Sequence, residues 1–220
     1  DSLKFFTVRA SYDMVKNIIY AEDVRIIKVA DAAIFPRDGL VTIQENAMME
    51  TLKNAYIVAD TINKYHTIHN ANVNINSRHD YLARGFYDYV DYAGQVSRMR
   101  FDYVGVDSLG VTHAAAVIDD TANFMLSPKI YFTGNIRLDA PEEFLYFDGG
   151  YRITQDCYAQ PEYWVKFDTV VNPNSLVLPV PEKIYDIYGD RLHASLNYSR
   201  LKKGFYPCFL VQKWNDRDVK

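Results

Sequence analysis

Five histidines and several adjacent carboxylates are the groups in this 220-residue chain whose chemistry could outrun packing, so their spacing is the first thing to weigh. His66 and His69, in Tyr65-His66-Thr67-Ile68-His69-Asn70, invite a metal site. On an extended strand, however, an odd separation sends the two rings to opposite faces, and a shared ion would need a helix or a sharp bend there. We read both as satisfied histidines and expect no metal site. His79, His113 and His193 have no carboxylate or cysteine at ligand spacing. Asp119-Asp120 and Glu142-Glu143 could supply the two carboxylates of glycoside hydrolysis. Adjacent acids on one strand or turn point apart, and each pair sits beside a turn signal where solvated acids are ordinary. Serine elbows, phosphate loops, dinucleotide turns and HExxH helices do not occur in the sequence. The expectation is a chain with no catalytic residue and no cofactor.

Binding chemistry is better represented. Phe86-Tyr87-Asp88-Tyr89-Val90-Asp91-Tyr92 would set rings and carboxylates along one strand, a surface on which sugars or partner side chains stack. Tyr87, Tyr89 and Tyr92 are the candidate binding residues, against the plainer alternative that they pack across strands within a sheet. Cys157 and Cys208 permit one disulfide, and spacing alone does not separate a bridge from two buried thiols.

These side chains must be carried by strands. Ile130, Phe132, Gly134, Ile136 and Leu138 alternate with polar neighbours, as do Leu145, Phe147, Gly149, Tyr151 and Ile153, on either side of Ala140-Pro141-Glu142-Glu143. A period of two on both sides of a turn predicts two half-buried strands. Met99, Phe101 and Tyr103, the turn-like Asp107-Ser108-Leu109-Gly110, and then Val111, His113, Ala115 and Val117 predict a hairpin or two successive rungs. Asp31-Ala32, Asn46-Ala47, Asn54-Ala55 and Asn70-Ala71 each have an apolar residue two positions after the alanine, which would suit stacked turns of a solenoid. Residues 45–64 also carry a helical stripe of Met48, Leu52, Ala55, Ala59 and Ile62. The β-formers among them favour strands, with room for one short helix.

The fold expected is therefore all-β, a β-solenoid or a stacked jellyroll-like module. It spans residues 1–171, and residues 172–220 form a Pro-bracketed extension around Leu176-Val177-Leu178 that leads into a further β module. Composition agrees, with eighteen Tyr and twelve Phe. A net charge of −4 with both signs interspersed offers no basic stripe for nucleic acid. No apolar run is long enough for a transmembrane segment. The opening Asp1-Ser2-Leu3-Lys4 and the ending at Lys220 read as a piece cut from a longer protein.

Asp followed by Ser or Thr and then an apolar residue recurs at Asp1-Ser2-Leu3, Asp60-Thr61-Ile62, Asp107-Ser108-Leu109, Asp120-Thr121-Ala122 and Asp168-Thr169-Val170. The tripeptide resembles the O-glycosylation acceptor of Bacteroidetes bacteria, which would make Ser2, Thr61, Ser108, Thr121 and Thr169 glycan sites on an exported protein. The alternative is that these pairs are simply favoured at turns. Val29-Ala30-Asp31-Ala32-Ala33-Ile34-Phe35-Pro36, Tyr65-His66-Thr67-Ile68, Leu126-Ser127-Pro128, Phe132 to Leu138 and Tyr206-Pro207-Cys208-Phe209-Leu210 together resemble stretches of the large, repetitive envelope proteins of Bacteroidetes. That resemblance implies a periplasmic, outer-membrane-associated or extracellular location. It also implies a non-catalytic structural or interaction role, with other envelope proteins or flanking repeats of the same chain as partners. Two alternatives stand beside it, a carbohydrate-binding or carbohydrate-active β-solenoid that takes glycans, and a lipid-conducting periplasmic jellyroll.

Overall fold

In the computed structural model, which describes residues 3–154, 163–200 and 203–211, the chain is all-β and its sheets are antiparallel. The first strands are β1 (Arg9–Asp13), β2 (Ile18–Glu22), β3 (Ile27–Val29), β4 (Ala32–Phe35) and β5 (Val41–Ile43), followed by a single 3-10 turn at Glu45–Ala47. Longer strands follow as β6 (Leu52–Ala59), β7 (His66–Ser77), β8 (Asp80–Val90), β9 (Val96–Val106) and β10 (Thr112–Ile118). The remainder are β11 (Met125–Ser127), β12 (Ile130–Asp139), β13 (Leu145–Ile153), β14 (Val165–Val171), β15 (Ile184–Tyr185), β16 (Arg191–Ser199) and β17 (Gly204–Val211). Residues 45–64 are thus strand β6 and its approaches, not a helix. The main sheet runs β14-β13-β12-β10-β9-β8-β7-β6-β4-β3, so most hydrogen-bonded neighbours are also neighbours in sequence. Two three-stranded sheets, β1-β2-β5 and β15-β16-β17, complete the topology. No helix among the described residues is long and apolar enough to cross a membrane.

By packing, the chain forms two compact units, residues 1–89, 98–117 and 136–145 in the first and residues 90–97, 118–135 and 146–220 in the second. The first unit is built on Ile27, Ile34, Ile57, Ile68, Tyr81 and Phe101, all fully buried. Two of the Asn-Ala units lie on adjacent strands of it. Asn54 and Asn70 take left-handed φ of 54° and 49°, a region Asn tolerates better than most residues. Each sits where the strand register shifts, between Leu52 and Ala55 on β6 and between His69 and Asn72 on β7. They are β-bulges, and each turns the following alanine inward so that Ala55 faces Ala71 across the pair. Gly85 on β8 closes against the same spot, since a Cβ there would meet Ile68 Cγ2 at 2.6 Å and Ala71 Cβ at 2.9 Å.

The buried Thr112 is paired on both sides. The Asp31 carboxylate, in the β3–β4 turn, accepts from the Thr112 amide at 2.9 Å and from the Thr112 hydroxyl at 2.5 Å. Thr112 in turn pairs with the buried Tyr81 hydroxyl at 3.0 Å. This arrangement explains why β10 has the opposite phase to the one expected. Thr112, Ala114, Ala116 and Ile118 face inward, and Val117 of the expected inward set is 73% exposed. Alternation of similar-sized apolar residues does not say which set is core, and the Thr112 hydroxyl is paired inside.

The second unit has an aromatic centre. Phe132 lies with ring centroids 5.0 Å from Phe147, 5.8 Å from Phe167 and 6.2 Å from Phe124, all edge to face. The two expected strands are present as β12 and β13, with Phe132, Phe147 and Tyr151 buried in this unit and Ile136, Leu138 and Leu145 buried in the first; Ile153, expected on the same face, is exposed. Arg152 lies over Trp164, 4.5 Å from its ring centroid, a cation–π contact that covers the side of this cluster. Residues 172–183, with Leu176-Val177-Leu178, hold no strand.

Three hairpin ends share one construction. In Asp91-Tyr92-Ala93-Gly94, Asp107-Ser108-Leu109-Gly110 and Asp186-Ile187-Tyr188-Gly189, one carboxylate oxygen accepts the amides two and four residues on at 2.8–2.9 Å. The glycine takes positive φ of 78°, 83° and 88°, and its amide returns to the Asp carbonyl. Asp is required for the side-chain cap and Gly for the left-handed residue.

Candidate functional site

The best-furnished surface depression lies in the first unit and has a volume of about 470 Å³, within the range of roughly 300–1,000 Å³ usual for small-molecule sites. It is lined by Tyr56, Tyr65, Thr67, His69, Tyr87, Asp88 and Arg98. Each ring has a different anchor. Tyr56 is fixed by the β4–β6 pairing opposite Phe35, on whose ring it packs edge-on at 6.2 Å. Tyr65 is delivered by the β6–β7 turn, where the Asp60 carboxylate accepts from the Ile62 amide at 2.9 Å and from Asn63 Nδ2 at 2.7 Å. Its ring lies edge-on to His66 at 6.5 Å. Tyr87 leans on Phe101 at 5.7 Å. Tyr56 and Tyr65 remain 43% and 47% exposed.

Beneath the rings, His66 is buried with both nitrogens occupied, Nε2 2.7 Å from the Glu142 carbonyl and Nδ1 3.1 Å from the Tyr87 hydroxyl. Because a carbonyl only accepts, Nε2 carries the proton and donates, and Nδ1 accepts from Tyr87. Burial holds the His66 pKa below its ordinary value, the Glu142 contact only partly offsetting it, and burial pushes the Tyr87 phenol up to about 12. Both groups are therefore neutral at ordinary pH. On the charged side, Asp88 takes a two-pronged contact from Arg98, Nε at 2.7 Å and an Nη at 3.2 Å, and His69 Nε2 lies 3.3 Å away. The Arg98 hydrogen bonds lower the Asp88 pKa and fix it as a carboxylate.

The sequence candidates distribute unevenly over this geometry. Tyr87 lines the depression, Tyr89 is 3% exposed and offers no ring face to a ligand, and Tyr92 is an exposed turn residue of the second unit. There Tyr92 borders another depression, of about 480 Å³, with Ser127, Ile130 and Leu176. Tyr56 and Tyr65 were not legible as site residues, because no local motif joins them and only strand pairing brings them to Tyr87. His66 and His69 fall on opposite faces of β7 as their spacing requires, one buried and one half-buried. No group of metal-ligating residues is found among the described residues. Asp119, Asp120, Glu142 and Glu143 are exposed.

Of the Asp-Ser/Thr units, Ser108 and Thr121 are exposed turn residues, Thr61 is half-buried in a turn and Thr169 is half-buried in β14. Turn chemistry accounts for Asp60 and Asp107, whose carboxylates cap their own turns, but not for Asp168 on its strand. Ser2 and Cys157 lie outside the described residues, as does the side chain of Cys208, whose backbone pairs with Ser195.

A second cluster went unseen in the sequence because Asp139 is 26 residues from His113 and the hairpin that brings Asp107 to it carries no ligand motif. His113 sits between two carboxylates, Nδ1 2.6 Å from Asp139 and Nε2 3.1 Å from Asp107, with Arg137 3.8 Å from Asp139. Partial burial disfavours the charged ring, yet the hydrogen bonds to Asp139 and Asp107 outweigh it and raise the His113 pKa. A raised folded pKa means that the stabilisation is fully present below the unfolded value of about 6.5 and is lost as pH rises through the folded value. Buried His66 has the opposite sign and weakens the fold as pH falls below about 6.5. A His113→Gln variant is expected to melt below the parent chain by a margin widest near pH 5.5 and narrowing by about pH 8.5. A margin independent of pH, measured by thermal melts in matched ionic strength, would contradict the charged clamp.

Comparison of the chain with known protein families, curated proteins and solved structures gives no match.

Proposed function

We propose that this chain is a non-catalytic structural and interaction module of a larger bacterial cell-envelope protein, making its contact through the tyrosine-lined depression of the first unit. The observation that carries this reading is the convergence of Tyr56, Tyr65 and Tyr87, from β6, the β6–β7 turn and β8, on one depression. Half-exposed tyrosines present large, rigid rings at little cost in side-chain entropy, which is why such residues concentrate at contact surfaces. The titratable groups there are already engaged with one another, His66 with Tyr87 and Glu142, and Asp88 with Arg98. That arrangement orients a surface rather than poising a nucleophile beside a base. The envelope setting rests on the sequence resemblance and on the exposed turn positions of Ser108 and Thr121, which a glycosyltransferase could reach. A stacked, jellyroll-like or solenoid-like assembly is the finer form of this proposal, supported by a main sheet whose strands follow one another in chain order.

The test is surface plasmon resonance of the immobilised chain against purified peptidoglycan, lipopolysaccharide and outer-membrane protein fractions of a Bacteroidetes bacterium. Saturable binding that falls at least tenfold in a Tyr56→Ala, Tyr65→Ala double variant of unchanged melting temperature is expected. Binding indifferent to the double variant, or turnover of any fraction, would overturn the reading.

A further inference from the structure

We infer that the ligand of this depression is a neutral sugar of a glycan chain, stacked on Tyr56 or Tyr65 and held through its hydroxyls by Asp88 and Arg98. The inference rests on the depression being the contact surface and adds the chemistry of what fits there. Three features point the same way. The first is charge. Asp88 and Arg98 neutralise each other through a two-pronged contact, and the Tyr87 phenol, whose pKa burial pushes up to about 12, adds no charge of its own at neutral pH. An anionic ligand meets Asp88 beside Arg98 and a cationic one meets Arg98 beside Asp88, so neither finds a net charge to draw it in.

The second feature is unused hydrogen-bonding capacity in a fixed geometry. Arg98 gives two N–H groups to Asp88 and, being 58% exposed, keeps others for a ligand. The Asp88 carboxylate is 34% exposed and accepts from Arg98 while retaining lone-pair positions. A carboxylate beside a guanidinium is a paired acceptor and donor at the spacing of two adjacent hydroxyls, each of which both donates and accepts. The Thr67 hydroxyl, on the same wall, extends the set. Water can satisfy these groups, but a diol does so without the loss of freedom that ordering separate waters entails.

The third feature is the aromatic rim. A pyranose has one face lined by C–H groups, and that face packs on the negative face of a phenol ring. Tyr56 and Tyr65 are held edge-on by Phe35 and His66, so their orientations are set before any ligand arrives. Rings fixed from beneath and roughly half exposed suit a flat, repeated ligand better than a deeply buried one.

Isothermal titration of the whole 220-residue chain with neutral gluco- and manno-oligosaccharides, alongside uronate-containing and sulfated ones, is the direct test. Neutral oligosaccharides are expected to bind, with at least a tenfold loss in Tyr65→Ala, little change in Tyr65→Phe, which keeps the ring, and at least a tenfold loss in Asp88→Asn. Thermal melts identify any variant that has lost its fold, and the Tyr65→Phe and Asp88→Asn pair gives an independent reading in that event. Binding confined to acidic oligosaccharides, or strengthened by Asp88→Asn as Arg98 is released, overturns the inference. Absence of any oligosaccharide binding by a chain that still captures an envelope protein through Tyr56 and Tyr65 also overturns it, while leaving the interaction reading intact. Binding that ignores the tyrosines refutes both.

Discussion

Replacing Gly149 by alanine is expected to cost about 4 kcal/mol or more, or to prevent the second unit from folding, an effect at the extreme end of single substitutions. In an ordinary strand the same change is neutral to favourable by ~0.5–1 kcal/mol, because alanine has less backbone freedom to lose. Here the sign reverses because β12 and β13 touch backbone to backbone. A Cβ on Gly149 would run into the Thr133 carbonyl oxygen and lie 2.8 Å from Gly134 Cα. Gly134 faces the same problem in return, with Gly149 Cα 2.6 Å from its own missing Cβ and a φ of 133° that side chains rarely adopt. Neither neighbour is the end of a flexible side chain, so relief requires moving a strand. Gly110→Ala is the control, open around its Cβ and strained only by a φ of 83°; its cost should be about 1–2 kcal/mol. Urea unfolding followed by tryptophan fluorescence measures both, and a loss below about 1 kcal/mol for Gly149→Ala would show that the strands separate more easily than their spacing implies.

Phe132→Ala should cost about 3–5 kcal/mol, the usual range for emptying a large aromatic site in a packed interior. Phe132 is fully buried and touches Phe124, Phe147 and Phe167 in edge-to-face contacts, each adding about 0.5–1.5 kcal/mol beyond area alone. Three surrounding rings are rigid and cannot collapse into the void, which places the cost toward the upper half. Phe132→Leu refills much of the volume and should lose less than half as much. Equal losses for the two variants would mean that the site relaxes around either.

The β12–β13 pair was readable from sequence because its alternation is carried by bulky residues and interrupted by proline at the turn, so local preference and burial agree. On β9 the same reading holds for Met99 and Phe101 and fails after them, where Asp102 and Tyr103 are both exposed and Val104 is buried, while Gly105 is covered on the outer face by the Tyr103 ring. A shift of phase by one residue leaves no compositional mark. The inverted face of β10 has a different cause, since Ala114 and Ala116 are no more apolar than Ala115 and Val117, and the deciding partner, Asp31, is 81 residues away. The depression escaped for the same reason. Tyr87 drew attention through its crowded neighbourhood, but Tyr56 and Tyr65 are ordinary in their own sequence surroundings, and only antiparallel pairing makes neighbours of them. Distance along the chain likewise hid the pairing of His113 with Asp139.

The three Asp-x-x-Gly hairpin ends are locked entirely by main chain, one carboxylate and one glycine. The side chains between take no part in the lock at two of them, Tyr92 and Ala93 in one and Ser108 and Leu109 in another; in the third Tyr188 is likewise outside it, while Ile187 is half-buried beside Gly150. Leu109 and Tyr188 are 85% and 77% exposed. What the outward side chains of these tips display is therefore decoupled from what holds them. Evolution can rewrite the displayed pair as hydroxyl, phenol or aliphatic without renegotiating the strands behind, and a protein engineer can graft an epitope or a fluorophore there on the same terms.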